Sequence, residues 1–206
     1  MSRGAFLCSA ALGLIDPSAL AEILEGSSAK MHGQRSPADW HAALRLSGAR
    51  LARPGSLIQV IFFIDLNCPA CAMLWQWFDV PERRRWATYW IPVAYMSKTS
   101  TGRAAALLRA ADPYAALSEN FGPGFDMQAR LGGLPDAKSA TLAEQSSIRA
   151  NTRYWSQSLF GTTPLMLYRK KDGSHWQLLG LFPEPRMSDY FREIAPAELD
   201  HFVPRS

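Results

Sequence analysis

The chain is 206 residues long, and 48% of its residues are hydrophobic and 19% charged. This balance excludes an intrinsically disordered chain and fits one medium-sized domain with a substantial apolar core. The formal net charge is +4, and basic residues are densely clustered only at residues 83–85 and 169–171. Because a nucleic-acid site usually has a longer basic stripe, we expect no nucleic-acid partner. No apolar stretch reaches the roughly 18 residues that a membrane-spanning helix needs.

The N-terminal segment has the outline of a secretory signal peptide. Arg3 precedes an apolar run over residues 5–15, and Ala19-Leu20-Ala21 then offers an A-x-A cleavage site. An ordinary amphipathic helix is the alternative, because the positive charge is single and polar residues dilute the run. We predict that residues 1–36 are a signal peptide and linker, that residues 37–206 form one domain, and that the protein is exported.

A first helix and a first core strand follow. Ser36 is a suitable N-cap for a helix that begins at Pro37, where the missing proline N–H costs nothing. Pro54-Gly55 marks a turn. The apolar run over residues 57–64 then predicts a buried strand.

The motif Cys68-Pro69-Ala70-Cys71 comes directly after this strand and opens a segment, residues 72–78, with helical character. A buried strand that delivers a CxxC to a helix N-terminus is typical of a thioredoxin-like redox site. The free N–H groups and the dipole of the helix start favour the thiolate of Cys68. We therefore predict Cys68 as the exposed nucleophile and Cys71, one turn further in, as the shielded resolving thiol.

Half of a zinc site is the other interpretation of these two cysteines. Structural zinc needs four ligands, but the sequence has no second CxxC, and its four histidines lack ligand spacing. We therefore expect no bound metal. Three cysteines are also too few for a disulfide framework, and Cys8 would be removed together with a signal peptide.

Residues on both sides of the motif have two interpretations each. Asp65, at the end of the strand, is a candidate proton acceptor for Cys71; the alternative is a solvent-facing acid. Trp75, Trp77 and Phe78 could form an exposed substrate platform, but helix residues after a CxxC usually pack on the sheet. We expect these aromatic residues to be largely core.

The middle of the chain predicts one strand and then a helical block. The strand covers residues 87–94, and Pro92 places it near an edge or ends it. The block, at about residues 98–158, includes a helix that starts at Pro113 and a capping box at Thr141. Four apolar residues can share a face of the helix after this box: Leu142, Ile148, Trp155 and Leu159.

The last part of the chain predicts a hairpin and a closing helix. The strands cover residues 165–169 and 175–179 and flank an Asp-Gly turn; the helix covers residues 186–194. Thr163-Pro164 leads into the first of these strands. In thioredoxin-like proteins a cis-proline loop lies beside the CxxC at this place, so we predict a cis bond here and a loop that pairs with extended substrate.

From about Pro37 to Ile194 the chain resembles the DsbC/DsbG thiol–disulfide interchange proteins of the bacterial periplasm, DsbG more closely. The matching segments are, in order, residues 62–71, 90–93, 104–108, 112–113 and 162–164. The resemblance implies an α/β thioredoxin-like fold with a helical insertion and a periplasmic thiol–disulfide oxidoreductase without a cofactor. It implies client proteins with disulfides or sulfenylated cysteines, and a membrane-bound or soluble thiol electron donor.

Two features depart from that family. Its members carry a separate N-terminal dimerisation domain, whereas 36 residues precede Pro37 here. We expect the fold to lack that domain, and we expect a monomer or weak dimer that reduces or exchanges disulfides better than it reshuffles them. The dipeptide Pro69-Ala70 differs from the aromatic-containing pairs of the family, which leaves the reduction potential open. A chaperone-like client-binding module with secondary redox activity is the alternative function.

Overall fold

The computed structural model describes residues 32–53, 55–138, 140–182 and 185–195. The predicted signal peptide and Cys8 lie outside these ranges. In the described part, the strands are β1 (His32–Arg35), β2 (Ala49–Leu51), β3 (Val60–Asp65), β4 (Thr88–Val93), β5 (Leu165–Arg169) and β6 (His175–Leu179). The helices are α1 (Pro37–Leu44), α2 (Pro69–Phe78), α3 (Ser100–Arg109), α4 (Pro113–Phe121), α5 (Leu142–Ser158) and α6 (Arg186–Arg192).

All six strands belong to one sheet in the order β1-β6-β5-β3-β4-β2. The strands β3 and β4 are parallel, and every other neighbouring pair is antiparallel. The parallel pair places the ends of β3 and β4 at the same edge of the sheet, with Asp65 opposite Val93. This edge is where the chain leaves β3 for the CxxC.

The central strand β3 is buried along its whole length because helices cover both faces of the sheet. Its side chains alternate between two apolar clusters. Phe62 packs with Trp75 and Phe78 of α2, and Phe63 packs with Trp155 of α5. The expected core position of the α2 aromatic residues is confirmed for Trp75 and Phe78, whereas Trp77 is half-buried.

The predicted helical insertion is present between β4 and β5, as α3, α4 and α5. Thr141 and Glu144 form the predicted capping box at the start of α5. The proposed apolar face of α5 was wrong at one position: Leu142 is 81% exposed, whereas Ile148, Trp155 and Leu159 are buried. Leu142 is the first residue of the helix, where its side chain lies in solvent beyond the packed turns.

Two strands were not expected from the sequence. The strand β1 lies in the segment that we interpreted as a linker, and it pairs with β6 at one edge of the sheet. The short strand β2 pairs with Thr88, Tyr89 and Trp90 of β4 at the other edge. Pro92 therefore lies in the part of β4 beyond the reach of β2, which is where a residue without an N–H is tolerated.

Candidate active site

The start of α2 holds the two cysteines in different environments. Cys68 is the N-cap residue, and its Sγ accepts a hydrogen bond from the Cys71 N–H at 3.4 Å. Cys68 is 4% exposed and Cys71 is 0% exposed, and both are free thiols. The expected order of accessibility is present, but Cys68 exposes far less surface than predicted. A client sulfur therefore has to reach Cys68 at the small part of its surface that is exposed.

The same environments move the two thiol pKa values in opposite directions. The hydrogen bond with the Cys71 side chain, reinforced by bonds from Thr163 and the backbone and opposed by burial, lowers the pKa of Cys68 from 9.0 to about 7. Burial, and then the hydrogen bond with Cys68, raises the pKa of Cys71 well above its ordinary value. Near neutral pH the pair therefore consists of a partly ionised Cys68 and a protonated Cys71 that stabilises it.

The loop before β5 lies against Cys68. The Thr163–Pro164 bond is cis, which confirms the sequence prediction. The Cys68 thiol donates to the Thr163 carbonyl at 3.7 Å, and the Pro164 carbonyl accepts from Gly180 N at 2.8 Å. The loop is therefore fixed to β6 on one side and borders the nucleophile on the other.

Asp65 is fully buried, so the alternative of a solvent-facing acid was wrong. Its Oδ1 accepts from Asn67 N and Ser100 Oγ, both at 2.9 Å. Its Oδ2 accepts from Tyr95 N at 2.9 Å and Met96 N at 3.0 Å. These four donors tie the loop after β4 to the end of β3, a supporting role that the sequence did not predict. Its role as proton acceptor for Cys71 stays a prediction.

Asn67, immediately before Cys68, is a second buried polar residue that sequence reasoning missed. Its Nδ2 donates to the hydroxyls of Ser97, Thr99 and Ser100 at 2.8–3.1 Å. Its Oδ1 accepts from Gly132 N at 3.2 Å. A polar side chain between an apolar strand and a CxxC was the available signal, because buried amides need several partners.

Gly132 explains why the helical insertion comes so close to the motif. A Cβ at this position would overlap the Asn120 side-chain oxygen and the Leu66 carbonyl oxygen. Asn120, which is fully buried, donates to the same Leu66 carbonyl at 2.9 Å. Because Gly132 has no side chain, it permits this close approach of two backbone segments.

Tyr95 is a further residue whose role the sequence did not reveal. Its hydroxyl lies 2.7 Å from Thr163 Oγ1, and its ring packs on Trp155 with centroids 4.7 Å apart. Trp155 in turn donates from Nε1 to the Thr162 carbonyl at 2.9 Å. Two aromatic side chains therefore hold the loop beside Cys68.

Residues 32–53, 55–138, 140–182 and 185–195 contain neither a cluster of metal ligands nor a membrane-spanning helix. No three metal-ligating side chains lie together there, and no helix in those ranges has the length and apolarity to cross a membrane. His32 and His175 pack on aromatic rings, His32 on Trp176 and His175 on Trp40.

No family model matches the chain, and no curated protein matches it. The solved structures that are similar to this chain include the following three. A periplasmic thioredoxin-like protein from Salmonella enterica serovar Typhimurium is 21% identical over 78% of this chain and 97% of its own, with a TM-score of 0.56. Proteus mirabilis ScsC in a compact conformation is 16% identical over 85% and 87%, with a TM-score of 0.53. The catalytic domain of Proteus mirabilis ScsC is 14% identical over 76% and 94%, with a TM-score of 0.51. At these identities the likeness defines the architecture alone, and the chain has the thioredoxin-like fold.

Proposed function

We propose that the protein is a thiol–disulfide oxidoreductase whose nucleophile is Cys68 and whose resolving thiol is Cys71. The observation that carries this proposal is the opposite tuning of two thiols at one helix start, beside the Thr163 carbonyl. An acidic nucleophile attacks a disulfide at neutral pH, and a buried partner stays protonated until it is needed. Thr163 and Pro164 form the loop on which an extended client segment docks.

In the reducing direction, the Cys68 thiolate attacks one sulfur of a client disulfide. The client S–S bond breaks, a Cys68–client disulfide forms, and the other client sulfur leaves and takes up a proton. Cys71 then loses its proton and attacks Cys68 Sγ, which releases the second client thiol and leaves a Cys68–Cys71 disulfide. Two electrons pass to the client, and a membrane-bound or soluble thiol donor restores the dithiol.

Exported proteins are the proposed clients. The segment before Pro37 has the outline of a signal peptide, and the Salmonella neighbour is a periplasmic protein. The resemblance to DsbG adds sulfenylated cysteines to the clients; there the same attack of Cys68 would expel the hydroxyl as water. Whether reduction or isomerisation dominates depends on the reduction potential of the pair.

The direct test uses a Cys8→Ser background, which leaves the pair as the protein's thiols. The reduced protein is equilibrated with glutathione and glutathione disulfide, and the products are identified by mass spectrometry. We expect one intramolecular disulfide between Cys68 and Cys71. Cys71→Ser should accumulate a glutathione adduct on Cys68, whereas Cys68→Ser should slow exchange by about 1,000-fold, since a serine hydroxyl is not ionised at neutral pH. Preferential adduct formation on Cys71 in the intact pair would contradict the assignment.

A client-holding module is the second candidate, and exposed apolar side chains favour it. Met127 and Leu131 are 49% and 38% exposed in the loop that leads to Gly132, and Phe160 is exposed just before the docking loop. The test is suppression of aggregation of an unfolded client by a Cys68→Ser variant. Full suppression without exchange activity would favour the holding function; loss of both would favour the enzyme.

A further inference from the structure

The aromatic side chain beside the docking loop is connected to the nucleophile through one intermediate residue. Tyr95 meets Thr163 through a hydroxyl–hydroxyl hydrogen bond of 2.7 Å, and Thr163 borders Cys68 through its carbonyl. Tyr95 is 45% exposed, whereas Thr163 is buried. Thr163 therefore lies between the half-exposed Tyr95 and the reacting sulfur, with its hydroxyl on Tyr95 and its carbonyl on Cys68.

The position of Tyr95 is fixed from three sides. Its N–H donates to the buried carboxylate of Asp65, and its ring packs on Trp155 of α5. The third contact is the hydroxyl bond to Thr163. Because both the backbone and the ring are held, the hydroxyl is presented to Thr163 in one place rather than by a mobile side chain.

Either hydroxyl could be the donor in this bond, but the chemistry of Cys68 selects the direction. Hydrogen bonding from the Thr163 side chain helps to lower the pKa of Cys68. Thr163 has one hydroxyl proton, so when that proton is directed to the Cys68 thiolate, the Thr163 oxygen must accept from Tyr95. Burial raises the pKa of Tyr95 to about 12, so its hydroxyl keeps its proton over the working range of the dithiol.

We propose that Tyr95 is a positioning residue of the dithiol site, which donates to Thr163 and thereby aims the Thr163 hydroxyl at the Cys68 thiolate. The inference rests on the proposed function for its catalytic meaning, but the hydrogen-bond relay itself concerns only the ionisation of Cys68. The titratable groups that face Tyr95 are Cys68, Cys71 and Asp65. All of them carry negative charge when ionised, so none replaces the missing donor when the Tyr95 hydroxyl is removed.

The test is Tyr95→Phe in the Cys8→Ser background. The ring and its contact with Trp155 are kept, and only the hydroxyl is lost. The rate of Cys68 alkylation by iodoacetamide is measured from pH 5 to pH 9, with peptide mapping of the label. We expect the apparent pKa of Cys68 to rise by about half a unit, which lowers the alkylation rate at pH 6 by about threefold.

Tyr89→Phe is the matched control. Tyr89 lies in β4, and its hydroxyl donates to the Leu46 carbonyl at 2.6 Å, away from the cysteines. Removal of the Tyr89 hydroxyl should leave the pH profile of Cys68 alkylation unchanged. Thr163→Val, which lacks the hydroxyl, should raise the pKa of Cys68, whereas Thr163→Ser should preserve it. If Tyr95 acts through Thr163, adding Tyr95→Phe to Thr163→Val should not change the pKa of Cys68 further.

A Tyr95→Phe profile that superimposes on that of the parent protein overturns the relay, and so does an additive effect in the double variant. These outcomes are separate from failure of the proposed function. If the parent protein exchanges disulfides with glutathione but the profiles superimpose, only the relay is wrong. If Tyr95→Phe shifts the profile but the parent protein does not exchange disulfides, the relay stands and the oxidoreductase proposal fails.

Discussion

The two ends of α2 are surrounded by different chemistry. At its N-terminus, Asp65, Asn67 and Asn120 are fully buried, and each is held by directional hydrogen bonds. In its C-terminal half, Trp75 and Phe78 pack against aromatic rings of the sheet with centroids 5.2 to 5.9 Å apart. Hydrogen bonds fix positions, whereas ring burial supplies free energy without fixing a direction. The comparison predicts that substitutions at the two ends separate activity from stability.

The largest expected effect on stability is at the aromatic end of α2, which is its C-terminal half with Trp75 and Phe78. Trp75→Ala should lower the free energy of unfolding by about 3–5 kcal/mol, because a fully buried indole leaves a cavity. The fraction that remains folded should keep the alkylation profile of Cys68, since the polar end of α2 is untouched. Urea unfolding measures the loss.

Trp77→Ala is the matched control for Trp75→Ala. Trp77 lies in the same helix but is only half-buried, in contact with Phe191 and Arg83. We expect a smaller loss of stability because less apolar area leaves the core. Equal losses at the two positions would contradict the assignment of α2 stability to the buried face.

At the polar end the expected loss of stability is smaller but activity should change. Asn67→Ala removes the partner of Gly132 N and of three hydroxyls. We expect about 1–3 kcal/mol less stability and a disulfide exchange rate about three- to tenfold lower, since the loops around Cys68 lose their common anchor. Ser97→Ala, at an exposed position of the same network, should cost under about 0.5 kcal/mol. Unchanged exchange by Asn67→Ala would break the link between the polar network and the site.

The aromatic end of α2 and the sheet that it packs on were easier to predict from the sequence than the polar end. The apolar run that contains β3, the position of α2 and the hairpin of β5 and β6 all follow from local patterns: continuous apolar residues, a proline at a helix start and an Asp-Gly turn. The strands β1 and β2 could not be found in this way. His32-Gly33-Gln34-Arg35 has no alternation of apolar residues, and it is extended only because β6 offers an unpaired edge.

The residues of the candidate site that belong to short sequence motifs were predictable, whereas those that depend on contacts with distant parts of the chain were not. Cys68, Cys71 and the cis bond at Pro164 follow from short motifs and their order. Asp65, Asn67 and Tyr95 acquire their roles from partners 30 to 68 residues away in the chain, such as Thr163 for Tyr95. A single sequence gives the type of each residue but not which distant loop folds over it, so the burial of Asp65 could not be distinguished from a solvent-facing acid.

The pH dependence of Cys68 alkylation measures how strongly the N-terminal, polar end of α2 stabilises the thiolate. With a pKa of about 7, its alkylation rate should rise about tenfold between pH 6 and pH 8 and then level off, whereas an ordinary thiol of pKa 9 would rise about 90-fold. A rise close to 90-fold would show that the start of α2 does not stabilise the thiolate.

Stability of the reduced protein should follow the same pKa values. The folded pKa of Cys68 lies below its ordinary value of 9.0, so its contribution is fully present above pH 9 and is lost as the pH falls through 7. The raised pKa of Cys71 acts in the opposite sense, and its contribution is lost as the pH rises above 9. Urea unfolding of the reduced protein should therefore show stability rising from pH 7 towards pH 9, and Cys68→Ser should remove that rise.

The smallest expected effect is at a polar group in contact with water. Thr141 caps α5: its Oγ1 accepts from Glu144 N at 3.2 Å, and Glu144 Oε2 accepts from Thr141 N at 2.7 Å. Both hydrogen bonds lie at the surface, so water replaces them when the side chain is removed, whereas no water replaces the bonds of buried Asn67. Thr141→Ala should lower the free energy of unfolding by about 1 kcal/mol and leave disulfide exchange unchanged. If Thr141→Ala slowed exchange as much as Asn67→Ala, the activity would be sensitive to any loss of stability, and the polar network at the start of α2 would have no special role in holding Cys68.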